Sequence, residues 1–155
     1  MCWMCDHPGS NIEEYLDLLR RKMLKRGWTV QYVESDRTPF AYTIGLTRYE
    51  LPELLVTGVS PQRALRILNG VARKCLRDGP PVPGSHIAVP VAPPLEVVEV
   101  EHPEAHLYMA IEIFEGDLTA QQLVWSDRCG RWPWASDFND GLGGQPVLGA
   151  RGLAS

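Results

Sequence analysis

The chain is expected to fold as a single α+β domain, with two amphipathic helices packed on a largely antiparallel β-sheet. Three observations predict this. Residues 11–26 and 61–78 place apolar side chains at helical spacing. Around them lie short runs rich in β-branched and aromatic residues, separated by Gly, Pro and Asp turns. The order helix, strands, helix, strands suits an α+β arrangement better than a doubly wound one. The 155 residues can bury one core and are few for two. Residues 1–10 read as a Cys/His-rich arm, 11–134 as the domain and 135–155 as a Gly-rich irregular tail.

The first helix starts at a capping box, Ser10 with Glu13. Ile12, Tyr15, Leu16, Leu19 and Met23 form its apolar stripe, and Gly27 suits the position after its last turn. Glu13 and Glu14 near its start and Lys25 and Arg26 near its end complement the helix dipole. Strands are expected at 28–33, 40–47 and 53–59, with a turn at Ser35–Pro39 and a loop around Pro52. Gly45 and Gly58 interrupt two of these strands and signal a bulge or a close backbone approach.

Ser60-Pro61 opens the second helix, because proline is tolerated in the first turn. Ala64, Leu65, Leu68, Val71, Ala72, Cys75 and Leu76 give it a continuous apolar face, and Gly79-Pro80-Pro81 stops it. Further strands are expected at 86–91, 95–101, 107–114 and 120–125. A helical turn is expected at 102–106 and a tight turn at 127–130.

Composition narrows the function. Acidic residues number 19 against 15 Lys and Arg, a formal charge of −4, which argues against a nucleic-acid binder. No apolar run reaches the ~20 residues of a membrane span, and the first residues lack the pattern of a secretory signal. A cytoplasmic location follows as the expectation, with Cys2, Cys5, Cys75 and Cys129 reduced or bound to metal.

Two clusters could carry chemistry. In Cys2-Trp3-Met4-Cys5-Asp6-His7 two thiols and an imidazole could hold Zn or Fe. His102 and His106, spaced i, i+4, are the leading candidates to complete the shell, with Cys129 and His86 as further donors. A lone Cys-x-x-Cys lacks the second pair of a zinc finger, and it also lacks the βαβ context of a thioredoxin-like site. The other cluster is Arg131-Trp132-Pro133-Trp134 beside Trp125. Arg and Trp can stack on a planar ligand or clamp a phosphate, and Tyr42 and Thr43 could add hydroxyls. The plainer alternative is a Trp-rich corner capping the sheet, with Arg131 paired to Asp127. The basic run Arg20-Arg21-Lys22, Lys25-Arg26 reads as a solvated helix face, and neither a phosphate loop nor a nucleophile motif occurs.

Several segments resemble a bacterial, largely actinobacterial, domain-of-unknown-function family with a Gly-Leu-Thr signature. They are Cys2–Pro8, Phe40–Thr47, Pro52-Glu53-Leu54 with Thr57-Gly58, Gly130–Trp134 and Gln145–Gly149. The resemblance implies one intact domain and supplies no reaction. The functional expectation is therefore a small metal-binding protein using Cys2, Cys5, His7, His102 and His106. Its alternative is a non-catalytic regulatory module that binds a small molecule or protein at Tyr42, Thr43, Arg131, Trp132 and Trp134.

Overall fold

A computed structural model describes residues 11–90 and 93–151. The elements, in chain order, are α1 (Ile12–Arg26), β1 (Thr29–Val33), β2 (Phe40–Ile44), β3 (Glu53–Thr57), α2 (Pro61–Asp78), β4 (His86–Ile87), β5 (Leu95–Glu99), α3 (Tyr108–Phe114) and β6 (Ala120–Trp125). Short 3-10 turns occupy Leu46–Tyr49, Pro103–Ala105 and Phe138–Gly141. The six strands form one sheet in the order β1-β2-β3-β6-β5-β4. Every pair is antiparallel except β3 with β6.

Strand alternation gives the sheet two apolar faces. On one, Ala41, Leu54, Val56, Val97, Leu123 and Trp125 meet the inward stripe of α2: Ala64, Ile67, Leu68, Val71, Ala72 and Cys75. On the other, Tyr42, Ile44, Leu55 and Ala120 meet Tyr15, Leu19 and Met23 of α1 and Ala110 of α3. Among the described residues, the expected two helices on a largely antiparallel sheet are thus three helices in two layers around it.

The third helix replaces the strand expected at 107–114. Ile111, Ile113 and Phe114 have strong β propensity, but Leu107, Ala110, Ile111 and Phe114 also recur at i, i+3, i+4 and i+7. That stripe packs into the α1 core, so packing overrides propensity. The α1 cap also differs from the expected Ser10 box: the Asn11 side chain accepts from the Glu14 N–H at 2.9 Å. Ser10 lies outside the described residues. The second helix spans Pro61–Asp78 as expected, capped by the Ser60 hydroxyl.

The segment after β6 is irregular but firmly attached. The Gln145 side-chain amide accepts from the Trp125 N–H at 2.9 Å and donates to the Trp125 carbonyl at 2.8 Å. It stands in for a neighbouring strand where β3 has already ended. The Pro146 carbonyl accepts from Thr57 Oγ1 and Gln122 Nε2, and Leu148 N–H donates to Gln122 Oε1. A Cβ on Gly58 would sit 2.1 Å from the Gly144 carbonyl oxygen, so this close crossing demands glycine.

Candidate functional site

Gly45-Leu46-Thr47 serves the fold. Glu53 opens β3 with a fully buried side chain. Its carboxylate accepts five hydrogen bonds: from Thr43 Oγ1 (2.7 Å), Gly45 N–H (3.2 Å), Leu46 N–H (3.1 Å), Thr47 N–H (2.9 Å) and Thr47 Oγ1 (2.6 Å). Burial raises the carboxyl above its ordinary value, against the opposing pull of the Thr47, Thr43 and Gly45 donors. Gly45 sits at φ 135° with a Cβ position 2.7 Å from the Gly27 carbonyl oxygen, which excludes any side chain. This knot ends β2 at Ile44, short of the expected residue 47.

The residues expected to line a pocket are divided between three places. Thr43 is spent on Glu53 and on the Leu54 N–H. Tyr42 is buried against the other face, where its hydroxyl accepts from the Met109 N–H at 3.0 Å. Burial raises its pKa well above the ordinary tyrosine value. Arg131 is tied to Asp127 at 2.8 Å, Asp140 at 2.9 Å and Asp137 at 3.5 Å. Asp127 also accepts from the N–H groups of Cys129, Arg131 and Asn139. Burial alone would raise the Asp127 pKa, but these hydrogen bonds bring it to about 2.

The tryptophan corner is stacked upon itself. Trp132 and Trp134 lie nearly parallel, with centroids 5.6 Å apart. His86 stacks on Trp132 at 5.2 Å, and the Arg151 guanidinium lies 4.0 Å from the Trp134 centroid. Glu96 closes this ladder by pairing with His86 at 3.0 Å and Arg151 at 2.8 Å. The chain's own groups therefore occupy the positions where a ligand would stack.

The metal expectation falls largely on Cys2, Cys5 and His7, which lie outside the described residues. His102 and His106 flank the 3-10 turn Pro103–Ala105. With three residues per turn, positions i and i+4 do not stack on one face as they would on an α-helix. His102 is exposed and lies 3.4 Å from Glu104, while burial lowers the His106 pKa. Among the described residues no group of three His, Cys, Asp or Glu could hold a metal ion. Cys75 is buried in the α2 core and Cys129 is exposed.

A different concavity stands out. One cavity of about 530 Å³ is lined by Leu65, Arg66, Asn69, Gly70, Arg73, Lys74 and Arg77 of α2 and by residues 88–90. A second, of about 520 Å³, shares Leu65, Asn69 and Arg73 and adds Lys22, Arg26, Trp28, Thr29 and Val30. Together they make a groove along the outer face of α2. Among the described residues six cations line it and no carboxylate does, in a chain with more acids than bases. Lys22 with Arg26, and Arg73 with Arg77, are like-charge i, i+4 pairs, which destabilise a helix unless a counter-charge is present. Asp78 reaches Arg77 only at 3.9 Å, with both side chains exposed. Asn69 Oδ1 accepts from the Trp28 indole N–H at 2.9 Å and ties α2 to the start of β1.

Sequence reading missed this groove because its halves are some 40 residues apart. Residues 20–26 read correctly as the cationic end of a helix, but only the fold sets Lys22 and Arg26 beside Arg73.

The family described as "Domain of unknown function (DUF4262)" matches residues 22–139, more than half of the chain. The chain belongs to this family. The matched span includes Gly45-Leu46-Thr47, Glu53 and Gly130–Trp134, and every residue lining the groove. The Cys2–His7 and Gln145–Gly149 segments lie outside it. No curated protein and no solved structure matches the chain. No described helix is long and apolar enough to cross a membrane.

Proposed function

We propose that this DUF4262 protein is a non-catalytic binding module that takes an anionic ligand in the basic groove along α2. One observation carries the reading: among the described residues, six cations and no carboxylate line two adjoining cavities that share Leu65, Asn69 and Arg73. Such crowding is unfavourable in the empty protein and is relieved by an anion, so binding gains from a cost already present. The polar side chains lining the groove are Arg, Lys, Asn and Thr. These can bind and orient an anion. Among the described lining residues there is no carboxylate, imidazole or thiol to act as a base or nucleophile.

Chromatography on phosphocellulose at pH 7 tests it. A chain of net charge −4 should flow through a negatively charged matrix unless a local patch dominates. Retention at low salt is expected, with loss in Arg66→Glu/Arg73→Glu and no change in Arg20→Glu, whose side chain pairs with Asp17. Flow-through of the wild type contradicts the reading.

The amino-terminal ligand spacing supports a second reading, in which Cys2, Cys5 and His7, with His102 or His106, bind Zn or Fe. Elemental analysis should then find one metal per chain, lost in Cys2→Ser. A content below about 0.1 per chain contradicts it, because structural zinc binds tightly.

A further inference from the structure

We infer that the cavity between α2 and residues 88–90 seats a compact organic polyanion: a phosphate-type head of several negative charges joined to an apolar body. This rests on the groove being a binding site and goes further, to the size and chemistry of the occupant.

Gly70 is the first support. It lies in the interior of the 18-residue helix α2 and lines the cavity. A glycine there weakens the helix relative to alanine. Its φ is not positive, so the backbone does not require glycine. Among the described residues outside its own helix, a Cβ would meet only Val89 Cγ1, at 3.8 Å, an ordinary contact. Packing does not require glycine either. What the missing side chain provides is open space on the helix wall, between Arg66 one turn before and Arg73 and Lys74 one turn after. That space is useful only to a head group small enough to enter it. An extended polymer would rest on the guanidinium tips.

The walls give the chemistry. Arg66, Arg73, Lys74 and Arg77 line the cavity from α2. Three of the four are arginines, whose planar fork binds phosphate or carboxylate oxygens in pairs. Four cations match a head of several negative charges better than a single carboxylate. Leu65, Ala88, Val89 and Pro90 supply an apolar side to the same cavity, and Leu65 is 45% exposed. A volume of about 530 Å³ falls among those of small-molecule sites. A bare inorganic anion would use the cations and leave the apolar wall in water.

Equilibrium titration of the full chain tests this with three probes: adenosine triphosphate, inorganic tripolyphosphate and a single-stranded oligothymidylate. Adenosine triphosphate should bind one per chain, about tenfold tighter than tripolyphosphate, since burying some tens of Å² of apolar wall corresponds to that factor. Gly70→Leu fills that space without changing charge and should weaken triphosphate binding by about tenfold or more. Gly70→Ala should raise Tm by about 2–4 °C; a lower Tm would mean the glycine serves packing and would overturn the inference. Binding that disappears in Arg66→Glu/Arg73→Glu yet ignores Gly70→Leu, or that favours the oligonucleotide, overturns the compact ligand while the anion groove stands. Equal affinity for adenosine triphosphate and tripolyphosphate overturns the apolar body. Failure of every probe removes the groove reading as well.

Discussion

Replacing Glu53 by Gln is nearly isosteric and isolates the charge and the acceptor count. In the protein one carboxylate oxygen, Oε1, accepts from Thr43 Oγ1 and the Leu46 N–H. The other, Oε2, accepts from the Gly45 and Thr47 N–H groups and Thr47 Oγ1. An amide keeps one acceptor oxygen and turns the other into a donor. With its NH₂ on the Oε1 side, Leu46 N–H loses its partner; on the Oε2 side, both Gly45 and Thr47 do. Leaving one buried N–H unsatisfied costs about 1–3 kcal/mol, and the surviving bonds lose their charge assistance. The total is about 2–4 kcal/mol out of the 5–15 typical of a domain. That corresponds to a Tm drop of roughly 4–16 °C for a chain of this size. Thermal and urea unfolding followed by tryptophan fluorescence would read it. Glu53→Gln within about 0.5 kcal/mol of wild type would refute the reasoning, because a neutral side chain would then serve the knot as well as an ionised one.

Gln145→Ala should strand the Trp125 N–H and carbonyl at the end of β6 and cost about 2–4 kcal/mol in urea unfolding. Acid should loosen the Trp corner and the Asp127 knot. Both Glu96 and Asp127 are depressed in the fold, because the Arg151 and His86 partners of one and the hydrogen bonds of the other outweigh burial. Their contribution is therefore complete above the ordinary carboxylate values of 4.5 and 3.8 and is lost as pH falls, through about 2 for Asp127. Tm measured against pH should fall across that window, less steeply in Asp127→Asn. In a Cys2→Ser/Cys5→Ser background one thiol, Cys129, should react with a thiol reagent in the native protein. Cys75 should react only on unfolding, since it is buried and burial raises its pKa.

Much of the fold was legible because local signals and packing agreed. α2 runs Pro61–Asp78 as its apolar stripe, Ser60 cap and Gly79 stop imply, and β6 is Ala120–Trp125. Residues 107–114 were expected as a strand, since Ile, Tyr and Phe favour one, although their spacing also suits a helix. The neighbouring α1 surface decided it. Strand ends were hard to place where side chains intervene: Glu53 captures the amides of residues 45–47, a pairing between loop and strand that no periodicity reveals.

The candidate site was less legible. Arg131 is held by three carboxylates, while the distant His86, Glu96 and Arg151 complete the stack of Trp132 and Trp134. The groove depends on two helices bringing like charges together, against the sign of the total. Net charge reports a sum, whereas binding responds to the local field.

The most direct measurement is a titration of isotope-labelled protein with adenosine triphosphate, watched through backbone amides and indole N–H signals. The account predicts shifts concentrated in residues 65–77 and 88–89, together with the indole of Trp28, which is bonded to Asn69 at the groove wall. The indoles of Trp125, Trp132 and Trp134 should stay in place. Shifts centred on Trp132 and Trp134, or no saturable shift at all, would contradict it.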